Sequence, residues 1–514
     1  MTEEHWNIRK YAAASPHGVV VSQHYKASRI GARVLAEGGN AMDAAIATSF
    51  AIGVAEPWMS GLGGGGVLVA APPGEQAQCL HFNMRASRSL KVSDYPLSGG
   101  ESGDLFAWPA VLDDRNVHGP WSVAVPGQVA GMGAAHQRYA SRSWRELIEP
   151  AIGLSREGLE VDWLATIRIA AAAPVLRRYP SSHAYLPGGE VPAGQWGGPA
   201  PRVQNPALTT TLEQLADAGW QDFYTGELAQ SLLEDAESLG VTLKTRDLED
   251  YTASWQPSLS APYREGWIHT VDGPTGGPSV VQVLEGLDHP GGTQPDAKHF
   301  RQLGDRLSRV FDARINGTGE SEQAPACTTH ISVIDADGFA VSLTQTLLSV
   351  FGSKLVLPGT GLLMNNGIMW FDPVPGRPNS IRPSGVPLSN MCPTVLEHAD
   401  GRRTALGASG GRRIVGAATQ LCSWFLDFDM PVEEALMQPR IDVSGGSQVL
   451  VDSRLPADVS ASLAERHELR IAQAQVYPNV YACPNAVSWH PEHGVVGMPF
   501  VHSPVSAAIS ADDV

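Results

Sequence analysis

Hydrophobic positions along this chain change period several times, and each change marks an element. Residues 18–22 (Gly-Val-Val-Val-Ser) predict a short buried strand, and 25–37 predict a helix stopped by Gly38-Gly39. Asn40 stands where an N-cap belongs. Residues 41–54 follow as a helix that is small or apolar nearly all round: Ala41, Ala44, Ala45, Ile46, Ala47, Phe50, Ala51, Ile52. A helix without a polar face is a buried helix, and Pro57 bars its continuation. Val67-Leu68-Val69-Ala70-Ala71 predicts a strand. From about 127 to 255 the pattern is mostly helical (144–158, 208–219, 225–239), with loops around 175–206. Residues 288–297 read as a loop, 298–314 as a helix and 315–327 as a polar, flexible linker.

The sharpest β signal begins at Thr328. Ile331-Ser332-Val333-Ile334 is followed by Asp335-Ala336-Asp337-Gly338 and then by 339–346. Asp-Gly between alternating apolar residues predicts a hairpin. Further on, Thr404-Ala405-Leu406 predicts a strand and about 412–427 a helix. There is no internal repeat and no low-complexity segment.

Charge and composition narrow the function classes. The chain carries 36 basic and 53 acidic residues, a net −17, which argues against nucleic acid or an anionic membrane as partner. Its five cysteines show no C-x-x-C spacing, so neither a disulfide framework nor a structural zinc is expected. No ligand cluster implies a metal or an organic cofactor. The start of the chain lacks a signal-like apolar run, and no apolar stretch reaches the length of a membrane span. A cytoplasmic enzyme is the expectation.

Two motifs invite nucleotide or esterase readings. Gly61-Leu62-Gly63-Gly64-Gly65-Gly66 matches G-x-G-x-x-G, but a helix precedes it and a strand follows. Dinucleotide binding needs the reverse order, so these glycines are expected to let backbone pass close to backbone. Gly407-Ala408-Ser409-Gly410-Gly411 matches G-x-S-x-G between a strand and a helix, the context of a nucleophile elbow. A serine hydrolase using Ser409 would need a partner among His467, His490, His493 and His502.

Four blocks, in one order, carry a wider resemblance: GGNAMDAAIATSFAIGVAEPWMSGLGGGG at 38–66, TTHISVIDADGFAVSLTQTLLSVFGS from 328, PLSNMCPT at 387–394 and GASGGRRI at 407–414. AVPGQVAG, FYTGELA and GPTGG echo between them. With these blocks the chain resembles the γ-glutamyltransferase family of N-terminal-nucleophile hydrolases, on a divergent branch similar to amide-hydrolysing acylases. The resemblance implies an α+β fold, the four-layer αββα sandwich, as one domain over 1–514. It implies self-cleavage between Cys327 and Thr328 into 1–327 and 328–514. These would stay together as a heterodimer, with a dimer of heterodimers as a further assembly. The freed amine of Thr328 would then act as base for its own hydroxyl, at an amine pKa of about 7.7–8.0 in model compounds.

The same resemblance assigns roles. Thr346 matches a threonine that hydrogen-bonds the nucleophile, and Gly410 and Gly411 match the pair whose N–H groups hold the oxyanion. Arg85 aligns with an arginine that takes the substrate's carboxylate, and Ser389 and Asn390 match a Ser-Ser pair contacting that carboxylate. Cys327 is expected to be a bystander, and Thr329 and His330 to be structural. Departures bear on the substrate. Trp370 stands where γ-glutamyl-binding relatives place an acid for the α-ammonium, Gly367 where they place a polar side chain, and Leu348 where they place an asparagine. Segments 315–327 and 372–386 are also shorter than in typical relatives, the second implying a missing lid. A buried ammonium without its partner is costly. The expected substrate is therefore a small carboxylated amide, oxamate-like or glutaryl-type, without an α-amino group. The alternatives are γ-glutamyl hydrolysis or transfer with glutathione-type donors, the Ser409 hydrolase, and a binding protein that never matures.

Overall fold

A computed structural model describes residues 8–101, 108–194, 197–315, 327–446, 448–477 and 479–514. The predicted linker 315–327 falls almost wholly outside these residues. Asn40 caps the second helix as expected. Its Oδ1 accepts the N–H groups of Met42 (2.9 Å) and Asp43 (3.0 Å), and Asp43 Oδ2 accepts the Asn40 N–H (2.9 Å), a reciprocal capping box. All but one residue of the resulting helix, Ala41–Ala55, are buried. Each large apolar side chain buried there, such as Ile46 or Phe50, contributes about 1.5–3 kcal/mol.

That helix lies on a seven-stranded sheet. Its order is Ala507–Ser510, Gly18–Ser22, Thr329–Asp335, Ala340–Thr346, Gly65–Ala71, Gln78–Phe82, Ser254–Pro257. A second seven-stranded sheet runs Ala13–Ser15, Gly494–Pro499, Cys483–His490, Arg403–Ser409, Thr394–Glu397, Gly266–Thr270, Leu259–Tyr263. Neighbouring strands are antiparallel throughout both.

Side chains alternate as the strand period of two requires. Ile331, Val333, Val341 and Leu343 join the helix-side core with Ala41–Ala55. Val19, Val21, Val67, Val69, Ile334 and Ala340 meet Val395, Ala405, Val487 and Val495 of the other sheet. The outer face of that second sheet (Ile268, Leu396, Leu406, Ala408, Ala486) packs on helices Gly277–Leu284, Ala297–Ile315 and Arg413–Leu426. The layers are thus helix, sheet, sheet, helix, the expected αββα sandwich. Residues from both sides of the 327/328 bond interleave: Gly18–Ser22 and Gly65–Ala71 flank the hairpin that follows Thr328.

Candidate active site

The hairpin sets the geometry at Thr328. Gly338 takes φ 79° at its turn, and Asp335 Oδ1 accepts the N–H groups of Asp337 (3.1 Å) and Phe339 (3.0 Å). With that turn fixed, Thr329 pairs with Gln345, and one step further Thr328 comes opposite Thr346. Their hydroxyl oxygens lie 3.4 Å apart, and both residues are buried.

The peptide bond expected to break is poised on this pair. The Thr328 hydroxyl donates to the Cys327 carbonyl oxygen, and the Thr346 hydroxyl donates to the same oxygen at 2.9 Å. The Leu348 N–H in turn donates to Thr346 Oγ1 at 2.8 Å. Leu348 holds a left-handed φ of 90°, a conformation costing on the order of 1–3 kcal/mol. Cys327 is enclosed. Its Sγ donates to the carbonyls of Trp58 (2.7 Å) and Met59 (3.1 Å), and burial pushes the thiol's pKa up.

The glycine run beside Thr328 does what its reversed context predicts. A Cβ on Gly64 would come within 2.3 Å of the Thr346 carbonyl oxygen, and one on Gly66 within 2.3 Å of that of Thr344. Backbone passes against backbone there, leaving no room for a side chain.

His330 is engaged in the fold. The His330 ring touches Thr344 Oγ1 (2.9 Å) and Ser332 Oγ (3.1 Å), and burial lowers its pKa to about 3, so it is neutral. The ring lies over Gly407, where a Cβ would sit 2.3 Å from it. This contact brings the Arg403–Ser409 strand against the Thr329–Asp335 strand. Beyond that strand, Gly410 (φ 133°) and Gly411 (φ 61°) lead into helix Arg413–Leu426. Neither donates a hydrogen bond among the described residues, so both N–H groups are available at a helix N-terminus, where negative charge is favoured.

Ser409 lacks the partner an esterase needs. The Gln23 amide donates to its Oγ. His467 is bound to Asp305 (3.0 Å), and His490 stacks on His493. Among the described residues no imidazole hydrogen-bonds Ser409.

The carboxylate-binding candidates separate. Arg85 Nη2 donates to the Asp250 carbonyl (3.1 Å), and the guanidinium lies over the Tyr251 ring, 5.3 Å from its centroid. Ser389 is fully buried and Asn390 nearly so. The Asn365-Asn366 pair is committed to the fold. Asn365 Nδ2 donates to the Gly63 (2.7 Å) and Ala124 (2.9 Å) carbonyls, and Asn366 Nδ2 to the Val117 carbonyl (2.7 Å). Behind them Ile368, Met369, Trp370 and Phe371 are buried in the inter-sheet core. A Cβ at Gly367 would come 2.9 Å from that of Ala124. Asp372, the next acid along, is held by Arg377 at 3.0 Å. Among the described residues of this wall, none offers a free carboxylate to an ammonium.

Other charged residues near the scissile bond went unmarked in the sequence. Glu56 is fully enclosed, its Oε2 has no partner among the described residues, and burial raises its pKa to about 8. Arg168 and Lys354 share the field around Cys327 with it. Lys354 Nζ donates to Ser349 Oγ (2.8 Å) and the Gly352 carbonyl (2.9 Å), and burial lowers its pKa to about 8. Arg314 reaches Ser389 from the last turn of its helix. No local pattern singles these out, because the contacts span long sequence separations.

Known proteins are similar to this chain. The family model described as Gamma-glutamyltranspeptidase matches residues 27–314 and 297–498. The glutathione hydrolase proenzyme of Bacillus subtilis (strain 168) is 27% identical over 512 residues, covering 87% of this chain and 84% of that protein. The Acylase ACY 1 proenzyme of Pseudomonas sp. (strain SE83) is 29% identical over 546 residues, covering 96% and 93%. The crystal structure of cephalosporin acylase from Bacillus halodurans superposes with a TM-score of 0.84 at 21% identity, over 99% of this chain and 98% of that one, a likeness of fold. With a poised threonine at the head of the inner hairpin and the matched blocks spread over nearly its whole length, the chain belongs to the γ-glutamyltranspeptidase family.

Proposed function

We propose that this enzyme is a proenzyme that cuts itself between Cys327 and Thr328 and matures into an N-terminal-threonine amidase. The observation that carries the reading is the contact of the Thr328 hydroxyl with the Cys327 carbonyl, under a second hydroxyl from Thr346. Thr328 Oγ1 attacks that carbonyl carbon and the carbon–nitrogen bond breaks. The hydroxyl proton passes to the leaving nitrogen, which gives an ester and a free amine. Water hydrolyses the ester, leaving a Cys327 carboxylate and an unblocked Thr328. In turnover the Thr328 amine accepts the hydroxyl proton while Oγ1 attacks the substrate amide. Gly410 and Gly411 then hold the oxyanion, the carbon–nitrogen bond breaks as the Thr328 ammonium returns its proton to the leaving amine, and water hydrolyses the resulting acyl-ester to release the acid.

The acyl donor is a small amide carrying a carboxylate but no α-amino group, such as an oxamate-like or glutaryl-type compound. Leu348, Gly367 and Trp370, together with the committed Asn365 and Asn366, favour it. Similarity to glutathione hydrolase proenzymes supports a second reading, γ-glutamyl hydrolysis or transfer. N-terminal sequencing should return Thr328 from active protein, and matched amides with and without an α-amino group separate the two substrates. Active protein carrying a single intact chain would refute maturation. Faster turnover of γ-glutamyl amides would favour the second substrate.

A further inference from the structure

The wall at Asn366 offers no free acid, but a cation is tied to it. Lys354 holds a left-handed φ of 60°, a conformation that suits glycine and costs a residue with a Cβ. The turn around it is fixed from outside. The Gly119 N–H donates to the Ser353 carbonyl (2.7 Å), the Ser353 N–H to the Met364 carbonyl (2.9 Å) and Ser182 Oγ to the Lys354 carbonyl (2.7 Å). Strain held in place in this way marks a candidate functional position.

The turn sends the ammonium back toward Thr346. Lys354 Nζ donates to Ser349 Oγ (2.8 Å) and to the Gly352 carbonyl (2.9 Å). An ammonium carries three N–H donors, so one is left over, and Lys354 and Ser349 are both half-buried. Ser349 Oγ also accepts from Asn366 Nδ2 at 2.8 Å. The residue before Ser349 is Leu348, whose N–H donates to Thr346 Oγ1 (2.8 Å), which in turn donates to the Cys327 carbonyl (2.9 Å). The ammonium's partner is thus next in the chain to the residue that touches Thr346. Among the described residues, Lys354, Arg178 and Arg168 make no ion pair. Arg178 Nη1 meets His118 Nε2 at 3.3 Å, and His118 Nδ1 meets the Tyr179 hydroxyl at 2.7 Å. Burial, then Arg178 and Lys354, lower the His118 pKa, so that ring is uncharged at neutral pH. Arg168, whose buried Nε has no partner, acts on Cys327 together with Lys354. Glu56 lies in the same field, and burial keeps it protonated up to about pH 8. In a chain of net charge −17, unpaired cations gathered at one corner of a site favour an anionic ligand.

We propose that Lys354 determines specificity at the acyl end: its spare N–H takes the carboxylate of the acyl donor, and its charge turns an α-ammonium away. The monoamide of a short dicarboxylic acid is then favoured by attraction, glutaryl being the test case. A γ-glutamyl donor is disfavoured by repulsion as well as by a missing partner. The inference rests on the proposed function only in that the acyl donor carries a carboxylate.

Mature wild type, Lys354→Met, Lys354→Gly, Lys354→Arg and Arg85→Gln should be assayed on three p-nitroanilides: glutaryl, its uncharged glutaramoyl analogue and γ-glutamyl. In Lys354→Met the glutaryl-to-glutaramoyl ratio of kcat/KM should fall about 30-fold, and the γ-glutamyl-to-glutaryl ratio should rise about 10-fold. Lys354→Gly suits the left-handed turn, should behave alike, and stands in should the methionine variant not fold. Lys354→Arg keeps the charge and should restore most of both ratios. A glutaryl-to-glutaramoyl ratio unchanged in the uncharged variants, or falling only in Arg85→Gln, overturns the carboxylate contact. A γ-glutamyl-to-glutaryl ratio that does not rise overturns the rejection of an ammonium. Calorimetric titration with glutarate reads binding without turnover. Heat seen with wild type and lost in Lys354→Met supports the contact, while heat retained in the variant, or absent from wild type, overturns it. A wild type that binds glutarate through Lys354 but hydrolyses none of the three anilides would sink the functional reading alone.

Discussion

Two buried hydroxyls, those of Thr346 and Ser389, differ in one respect. Thr346 Oγ1 is saturated: it accepts from the Leu348 N–H, donates to the Cys327 carbonyl and touches the Thr328 hydroxyl. Ser389 Oγ has no partner. The contrast extends to their surroundings. The processing side is closed, with the Cys327 thiol bound to two carbonyls and His330 uncharged. The acyl side holds cationic Arg314 with an idle Nε. The difference follows from where the substrate comes from. Self-cleavage acts on an acyl group already in the chain, so its polar atoms can be satisfied at folding. Turnover acts on a separate molecule, so polar atoms that serve it need not be satisfied at folding.

The contrast is tested most severely at the nucleophile. Thr328→Ala should abolish both processing and amidase activity, leaving one 514-residue band on a denaturing gel. Processing that persists in this variant would remove Thr328 from the chemistry. Next comes Thr346→Val, which deletes a donor to the scissile carbonyl while keeping the side-chain shape. Processing should slow by about 100-fold, read as the lifetime of the precursor band. Thr346→Ser should retain most of the rate.

Stability then sharpens the comparison, because the two hydroxyls should respond with opposite sign. Thr346→Val strands the Leu348 N–H and should cost about 1–3 kcal/mol. Ser389→Ala removes a buried oxygen that has no partner, and should leave the precursor as stable or about 1 kcal/mol more so. Thermal melts of both variants in a Thr328→Ala background, where no cleavage intervenes, check the pair. Equal losses would mean that Ser389 is satisfied in solution.

The finished side was the legible one. The Asp335–Gly338 turn lies in the sequence, and its register alone places Thr328 opposite Thr346. Asn40 and the all-apolar helix after it were likewise local signals. The second sheet was mostly hidden: its apolar pattern predicts 404–406, whereas the strand runs Arg403–Ser409. Neighbours such as Gly266–Thr270 and Gly494–Pro499 pass without a turn signal strong enough to mark them. The unfinished side was hardest. Ser389 and Arg85 came through motif resemblance, but Arg314 meets Ser389 only because the Ala297–Ile315 helix packs on the second sheet. No period or spacing encodes that encounter.

Glu56 is an exception on the finished side, since its buried Oε2 has no partner. Burial raises its pKa from 4.5 to about 8, with Arg168 opposing and Asp162 reinforcing the rise. A raised carboxyl is a neutral one at moderate pH, which spares the site a buried charge. The linkage has a definite sign. Between about pH 4.5 and 8 the unfolded chain has released a proton that the folded chain keeps, so stability falls as pH rises through this window. Glu56→Gln has no such proton. In the Thr328→Ala background the variant's melting midpoint should match the parent's near pH 4 and exceed it by about 3 °C at pH 8. His330, whose pKa is lowered, acts in the other direction, since stability falls as pH drops from 6.5 toward about 3. It is common to parent and variant and cancels in their difference. A gap that fails to widen with pH would mean that Glu56 is ionised in the folded precursor. The closed side of the site would then hold an unmatched charge, and its contrast with Arg314 and Ser389 would disappear.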